Sequence, residues 1–289
     1  MSLTLVQAWT MAKKRLEAAG LTGPVIDARL LVEAAADATR VDIVTDPHRA
    51  LTDAQAATLE DYLSRRERRE PVSHILGRKG FWKIMLQVTP DVLTPRPDTE
   101  CVVDAVLKAT GEFDRLSILD LGVGSGAILL AILAERPNAK GLGIDVSEEA
   151  LAVARDNAAH LGLGGRCALL RGDWTEGLAE EQFDIVTANP PYIASEVIET
   201  LEPEVRVHEP RLALDGGADG LDAYRRLAPE ILRVLKPGGR FAVEIGYDQK
   251  AAVEALFKDA GALEVITQQD LAGLDRVVLG KKSPLETAG

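Results

Sequence analysis

The sequence predicts an α/β protein with a mostly parallel open sheet, preceded by a small helical domain. Three observations predict it. Residues 118–133 read I-L-D-L-G-V-G-S-G-A-I-L-L-A-I-L, a buried strand, a glycine turn and the first turns of a helix, the order that makes the mouth of a nucleotide-type site. From residue 117 onward, short apolar strands alternate with helical stretches. The last two strands are joined only by D-L-A-G-L-D, 270–275, too short for a right-handed crossover, so the final strand must run antiparallel.

Composition narrows the class. The chain has 289 residues, 46% of them hydrophobic, enough for one large domain or two ordinary ones. Cys101 and Cys167 are its two cysteines, so neither a disulfide framework nor a cysteine metal site is expected. The four histidines, at 48, 74, 160 and 208, show no metal-ligand spacing. No apolar h-region opens the chain and no 18-residue uncharged apolar run occurs, so a soluble cytoplasmic protein without membrane contact is expected. A monomer is the expected state. Residues 1–90 carry 13 Lys/Arg against 11 Asp/Glu, and the remainder 20 against 34. An acidic catalytic half of net −14 suits a cationic cofactor and repels nucleic acid at long range. The one local basic cluster, Arg65, Arg66, Arg68 and Arg69, reads first as a solvated helix end, where cations suit the dipole, and second as a partner contact.

Residues 1–76 read as a helical bundle. Leu5, Ala8, Ala12 and Leu16 recur at helical spacing over 2–19 and Gly20 ends the run. A second helix is expected from about Val25 to Ala36, with Leu30 and Leu31 in the core. Thr52 with Gln55 resembles a capping box opening a third helix, Ala54 to Arg69, and a short piece covers Val72 to Leu76. Residues 77–94 read as a hairpin of two short strands linking the domains, with Phe81-Trp82 and Leu86-Gln87-Val88. The third domain, 95–289, opens on the rigid Pro95-Arg96-Pro97. A helix follows at 99–110. Strands are expected at 117–121, 141–145, 167–171, 183–188, from Arg240 after the turn Pro237-Gly238-Gly239, at 263–268 and at 276–280. Helices fill 126–135, 148–161, 220–235 and 248–260, and the tail 281–289 is expected to be loose.

The glycine motif is G-x-G-x-G, with Asp120 two positions before its first glycine. A dinucleotide needs amides around a pyrophosphate. S-adenosylmethionine has no phosphate and needs close backbone approach and acceptors for its ammonium and ribose groups. Asp120-Leu121-Gly122 suits its amino-acid end, directly or through water, and Asp120, Gly122, Val123, Gly124, Ser125 and Gly126 are the candidate cofactor-binding residues of this turn. Asp145, closing G-L-G-I-D, suits the ribose hydroxyls; Asp173 suits the adenine amino group, with Trp174 on the ring or in the core. At the end of the fourth sheet strand stands Asn189-Pro190-Pro191-Tyr192, where open α/β sheets place their ligands. The Asn189 side-chain oxygen and the Pro190 carbonyl can accept both N–H bonds of a planar NH₂ group, in an amide or a nucleobase, while Tyr192 stacks on it. Fixing those N–H bonds aims the nitrogen at a methyl donor, so positioning and charge-matched acceptors carry the reaction. No metal is called for.

Several stretches together resemble one family. They are P-V-S-H-I-L-G at 71–77, V-T-P-D-V-L-T-P-R-P-D-T-E at 88–100, D-L-G-V-G-S-G at 120–126, G-D-W at 172–174 and N-P-P-Y-I at 189–193, with E-P-R-L-A-L-D-G-G-A-D-G-L at 209–221, L-K-P-G-G at 235–239 and E-I-G at 244–246. The chain resembles the bacterial protein-(glutamine-N5) methyltransferases that modify peptide chain release factors. The likeness is dense over 71–280, and over 1–70 it rests on length and helical pattern. It implies a class I S-adenosylmethionine-dependent methyltransferase fold with a seven-stranded sheet, and methyl transfer to the glutamine of the Gly-Gly-Gln loop of release factors 1 and 2. It implies that Gly122 to Gly126, Asp145, Trp174 and Asn189 contact the cofactor, that Asn189, Pro190, Pro191 and Tyr192 hold the glutamine, and that Pro95 to Pro97 wall the site. Gly80, His74 and Val123 depart from the family pattern, and Gly80 is expected to loosen the hairpin. A nucleic-acid N-methyltransferase acting on adenine or guanine amino groups would use the same N-P-P-Y logic on a flipped base. The acidic catalytic half and the absence of a long basic stripe speak against it. The near-neutral helical domain is expected to grip the release factor body while the acidic domain receives the loop.

Overall fold

The structure, a computed structural model, describes residues 3–284. Residues 1–2 and the tail residues 285–289 lie outside the described residues. Two compact units divide the chain, Met1–Arg78 with Glu202–His208, and Lys79–Leu201 with Glu209–Gly289. The hairpin thus counts almost wholly with the second unit, and a short excursion from the second unit counts with the first.

In the first unit five helices run α1 Leu5–Ala18, α2 Pro24–Ala35, α3 Arg40–Thr45, α4 Asp53–Glu67 and α5 Val72–Leu76. Leu5, Leu16, Leu31, Leu59 and Leu63 are fully buried together, each stabilising the unit by roughly 1.5–3 kcal/mol. The expected capping box at α4 is present, with Gln55 N–H donating to Thr52 Oγ1 at 3.2 Å and Thr52 N–H to Gln55 Oε1 at 3.0 Å. Two readings need correction. Leu30 is only partly buried, and Ala28 and Val32 flank Leu31 in the core instead. The helix α3 was not expected; its signal is a second capping box, Thr39 with Asp42, on a helix only six residues long.

The arginine cluster is also not a solvated helix end. Arg66 is 6% exposed; its Nε bonds Asp27 at 2.8 Å and its other nitrogen Glu204 at 3.0 Å. Arg69 reaches Glu204 and the Gly20 carbonyl, and Arg65 pairs with Glu70 at 2.8 Å. Only Arg68 of the four is exposed. The cluster clamps α2, α4 and the segment Glu202–His208 into one unit.

The second unit begins with the hairpin β1 Arg78–Phe81 and β2 Ile84–Gln87. Trp82 fastens it, its backbone N–H donating to Glu100 at 2.8 Å and its indole to Glu135 at 3.0 Å. A Cβ at Gly80 would meet nothing nearer than Met85 at 3.9 Å, so these anchors leave room there rather than depend on glycine. There follow α6 Glu100–Ala109, β3 Ser117–Leu121, α7 Ala127–Glu135, β4 Lys140–Asp145, α8 Glu148–His160, β5 Cys167–Arg171 and β6 Phe183–Ala188. After the short turns α9 Ser195–Ile198 and α10 Pro203–Arg206, the latter on the segment that counts with the first unit, come α11 Asp222–Val234, β7 Leu235–Glu244, α12 Lys250–Asp259, β8 Leu263–Gln269 and β9 Asp275–Lys281.

The seven strands are ordered β5-β4-β3-β6-β7-β9-β8. Pairs from β5 to β7 are parallel, and β9 is antiparallel to both β7 and β8. The reversed strand, last in the chain, therefore lies inside the sheet between β7 and the edge. α6, α7 and α8 bury one face, and α11 and α12 the other. Order reverses between β3 and β6, which makes the switch point where such sheets open a crevice. The turn Pro237-Gly238-Gly239 does not precede β7 but bulges within it. Phe183 pairs with Leu235 and Ile185 with Arg240, so the residues between loop out, with Gly238 at φ +76° and Lys236 held to Asp184 at 2.9 Å.

Asp120, near the end of β3, is 1% exposed. It accepts from the Thr187 hydroxyl of β6 at 2.7 Å and from the backbone N–H of Leu129 in the first turn of α7. Burial pushes its carboxyl up to about 7. The folded chain therefore keeps a proton that the unfolded chain releases near pH 4, and this group's contribution to stability is lost as pH rises from about 4 to about 7. Two outcomes are expected. In urea titrations at about pH 5 and about pH 8, the stability gap between Asp120→Asn and the native chain moves in the variant's favour at the higher pH; a constant gap would mean that Asp120 does not titrate in that window. Arg66→Ala leaves Asp27 and Glu204 without their shared cation and lowers unfolding free energy by about 3–5 kcal/mol, read from the same titrations.

Candidate active site

A cavity of about 300 Å³ opens at the carboxyl end of the sheet, within the second unit. One end is the loop after β3. Gly122, Gly124 and Gly126 all take positive φ, at +70°, +52° and +84°. The loop folds over the end of β4: the N–H groups of Gly122 and Val123 donate to the Ile144 carbonyl at 2.9 and 3.0 Å, and Gly124 N–H donates to Asp145 Oδ2 at 2.9 Å. Asp145 Oδ1 accepts from Ser147 N–H at 3.0 Å. Each oxygen keeps acceptor capacity beyond these bonds, since a carboxylate has about four lone-pair sites. A Cβ at Gly122 would lie 3.5 Å from the Trp174 ring. The indole thus covers the glycine loop and lines the cavity while also packing on the core beneath α11.

Gly122, Val123, Gly124, Ser125, Asp145, Asp173 and Trp174 all line the cavity. Two of the expected cofactor residues do not. Asp120 is buried beneath the loop, where it ties β6 and α7 to β3 and so supports the loop instead of facing a ligand. Gly126 caps α7; a Cβ there would stand 2.8 Å from Leu130, so glycine is needed for helix packing. Asp173 is at the wall, but both its oxygens are held by Arg226 at 2.8 Å, which engages the carboxylate that was expected to reach an adenine amino group.

The other end is Asn189-Pro190-Pro191-Tyr192 after β6. Asn189 and Pro191 line the cavity; Pro190 is buried and Tyr192 packs partly into the α11 and α12 core. Burial pushes the Tyr192 phenol up to about 12. Asn189 Nδ2 donates to Thr99 Oγ1 at 3.3 Å, and the Thr99 hydroxyl donates onward to Glu244. Glu244 ends β7, is 2% exposed, and is raised by burial to about 7. Its Oε2 has no hydrogen-bond partner among the described residues. Pro95 and Arg96 also line the cavity. Arg96 is held at 2.8 Å by Glu209, whose side chain is 1% exposed and whose carboxyl is pushed up by burial.

Thr99, Glu244 and Glu209 were missed as site residues by sequence reasoning. Glu244 had a usable signal: it is an acidic residue ending a buried apolar strand, as Asp145 is. Among the described residues no group of His, Cys, Asp and Glu could hold a metal, and no helix is long and apolar enough to cross a membrane.

Residues 7–77 match a family profile described as the PrmC N-terminal domain, and residues 112–274 one described as a methyltransferase domain. Among curated proteins, the release factor glutamine methyltransferase of Caulobacter vibrioides is 71% identical over 287 residues, covering 99% of both chains. That of Rhodospirillum rubrum is 45% identical, covering 93% of this chain and 82% of its own, and that of Agrobacterium fabrum 42%, covering 92% and 93%. Among solved structures, a methyltransferase from Pyrococcus furiosus superposes with a TM-score of 0.51 at 20% identity, covering 68% of this chain and 88% of its own, a likeness of fold. With a class I methyltransferase sheet, a helical N-terminal unit and identity of this extent over nearly the whole length, the chain belongs to the release factor glutamine methyltransferase family.

Proposed function

We propose that this chain transfers a methyl group from S-adenosylmethionine to the side-chain amide nitrogen, N5, of the glutamine in the Gly-Gly-Gln loop of peptide chain release factors 1 and 2. The observation that carries the chemistry is the orientation of Asn189. Its Nδ2 is engaged by Thr99, so its oxygen is left as the acceptor at the cavity.

The cavity fits the cofactor. Its glycine loop admits close backbone approach, Asp145 has spare acceptor capacity for ribose hydroxyls, and Trp174 offers a flat apolar wall for adenine. Bound there, S-adenosylmethionine supplies an electrophilic methyl on a cationic sulfur. The acidic surroundings of net −14 beyond residue 90 suit that charge. The chain's own task is to position the nucleophile. Asn189 Oδ1 and the Pro190 carbonyl accept the two amide N–H bonds, which directs the nitrogen lone pair at the donor. As positive charge grows on that nitrogen the same two acceptors bind it more strongly, so they act on the transition state. Tyr192, its phenol kept neutral by burial, supplies an apolar face beside the amide. The proton leaves after transfer, when the nitrogen has become acidic.

The helical unit is assigned the body of the release factor. Val41 and Val44 stand 65% and 74% exposed, three residues apart on α3, and so share one face. The reading places the enzyme in the cytoplasm, as a monomer. The arginines that a nucleic-acid substrate would have used are mostly spent on Asp27, Glu204 and Glu70.

The test offers purified release factor, total RNA and duplex DNA side by side with methyl-labelled cofactor, and maps the product by mass spectrometry. Label is expected on the Gly-Gly-Gln glutamine; label on RNA or DNA alone would overturn the substrate. Asn189→Ala should cut kcat/KM by roughly 10²-fold or more with the circular dichroism spectrum unchanged. A near-native rate would remove the acceptor argument. Replacing Val41 and Val44 together by serine should raise KM for the release factor several-fold and leave S-adenosylhomocysteine binding as it was. An unchanged KM would move the docking surface off α3.

A further inference from the structure

Behind the Asn189–Tyr192 turn the chain brings three loops to one side chain, Gln249, at the start of α12. Gln249 Nε2 donates to the carbonyls of Tyr192 at 2.9 Å and Gly220 at 3.1 Å, and its Oε1 accepts from Gly246 N–H at 3.0 Å. Gly246 follows β7 two residues after Glu244, Gly220 precedes α11, and Tyr192 closes the tetrapeptide. The three bonds use both amide donors and one acceptor. Only a carboxamide offers that set, and asparagine is one methylene shorter.

The backbone beside this side chain leaves no room for a Cβ at two glycines. One at Gly220, whose φ is +75°, would stand 2.3 Å from the Tyr192 carbonyl oxygen and 2.7 Å from Gln249 Nε2. One at Gly216 would stand 2.8 Å from the Pro191 oxygen and 2.9 Å from Tyr192 Cα. Gly216 N–H also donates to the Ile193 carbonyl at 2.8 Å, and Ile193 N–H to the Leu214 carbonyl at 3.0 Å. The segment 214–220 is thus a platform laid backbone to backbone against the substrate-side turn, with Gln249 as the pin through it.

We propose that Gln249 is a positioning residue for the transfer reaction: by fixing the Tyr192 carbonyl against Gly220 and Gly246 it sets the register of the Asn189 and Pro190 acceptors. This rests on the reading of those two acceptors given above. Gln249 touches neither ligand; it acts through the turn, and a displacement of about 1 Å there is enough to cost ~10²-fold in rate.

The experiment compares the native full-length chain with Gln249→Ala and Gln249→Glu, measuring kcat and KM with release factor, S-adenosylhomocysteine affinity by calorimetry, and fold by circular dichroism. Gln249→Ala should lower kcat by about 30- to 100-fold, with KM for the release factor and product affinity near native. Gln249→Glu sets a carboxylate against two carbonyl oxygens and should be slower still. It should recover rate relative to the native chain as pH falls from about 8 to about 6, because a protonated carboxyl restores one donor. A role in general stability alone would not lower kcat while circular dichroism and product affinity stay native. The proposal is overturned by a Gln249→Ala kcat within about threefold of native, or by a loss of product affinity that accounts for the whole loss of rate. Should Gln249→Glu not fold, Gln249→Ala decides by itself. Failure of the native chain to label the glutamine in the same assay would sink the functional reading instead, so the two failures are told apart.

Discussion

One carboxamide sets the polarity of one end of the cavity. Asn189 can present either an oxygen or an NH₂ group to the cavity, and only the oxygen accepts from a substrate amide. Its choice is made by the relay to Thr99 and Glu244. A threonine hydroxyl has one proton; once that proton is given to a carboxyl oxygen, its own oxygen can only accept, and the Asn189 NH₂ group is what it accepts from. A hydrogen bond between neutral groups is worth about 0.5–1.5 kcal/mol, and 1.4 kcal/mol is about a tenfold bias. The relay therefore favours the amide orientation that leaves the oxygen at the cavity. Residues from three distant parts of the chain meet to do it, at the ends of β6 and β7 and the start of α6.

The cost of this arrangement appears in the carboxylates. Asp120, Glu209 and Glu244 are all buried and all have their carboxyls pushed upward by burial. Glu209 and Glu244 each keep an oxygen without a hydrogen-bond partner among the described residues. A core built for stability alone would not retain them. Each instead fixes a group at the cavity or beneath it: Glu244 orients Asn189 through Thr99, Glu209 holds Arg96, and Asp120 joins β3 to β6 and α7 under the glycine loop. Stability is given up around the cavity, and side-chain direction is gained there.

Much of this fold was legible because local sequence and tertiary role agree. The strands from β3 to β6 are short apolar runs bounded by glycine or polar residues, and their limits were read to within a residue. The short D-L-A-G-L-D connection dictated the reversed strand. Legibility failed where the deciding partner is remote. Nothing near Arg66 in the chain announces Asp27 or Glu204, so a buried clamp read as a solvated helix end. Thr99 lies 90 residues from Asn189, and no spacing rule joins them. Asp120 was visible as an acidic residue beside the glycine motif, but only the pairing of β3 with β6 shows that it faces Thr187 and not a ligand. Lys236 to Gly239 has the composition of a turn, yet the parallel partner strand resumes pairing beyond it and turns it into a bulge.

The helical domain precedes the sheet in the sequence, and the chain returns to the helical unit once more. After the Asn189–Tyr192 turn the backbone leaves the catalytic unit at Leu201, spends seven residues with the helical unit, and returns at Glu209. Within the helical unit that span is held by Glu204 on Arg66 and Arg69. Its first residue back in the catalytic unit is the partner of Arg96, and Pro210, Leu212 and Ala213 next line the cavity. Removing residues 1–70 would thus strip Glu204 of both cations and free the span that leads into the cavity wall. Loss of activity in such a truncation would not by itself measure docking of the release factor. Point changes on the exposed face of α3 leave Arg66, Arg69 and Glu204 in place, so they test docking at that face apart from the integrity of the wall.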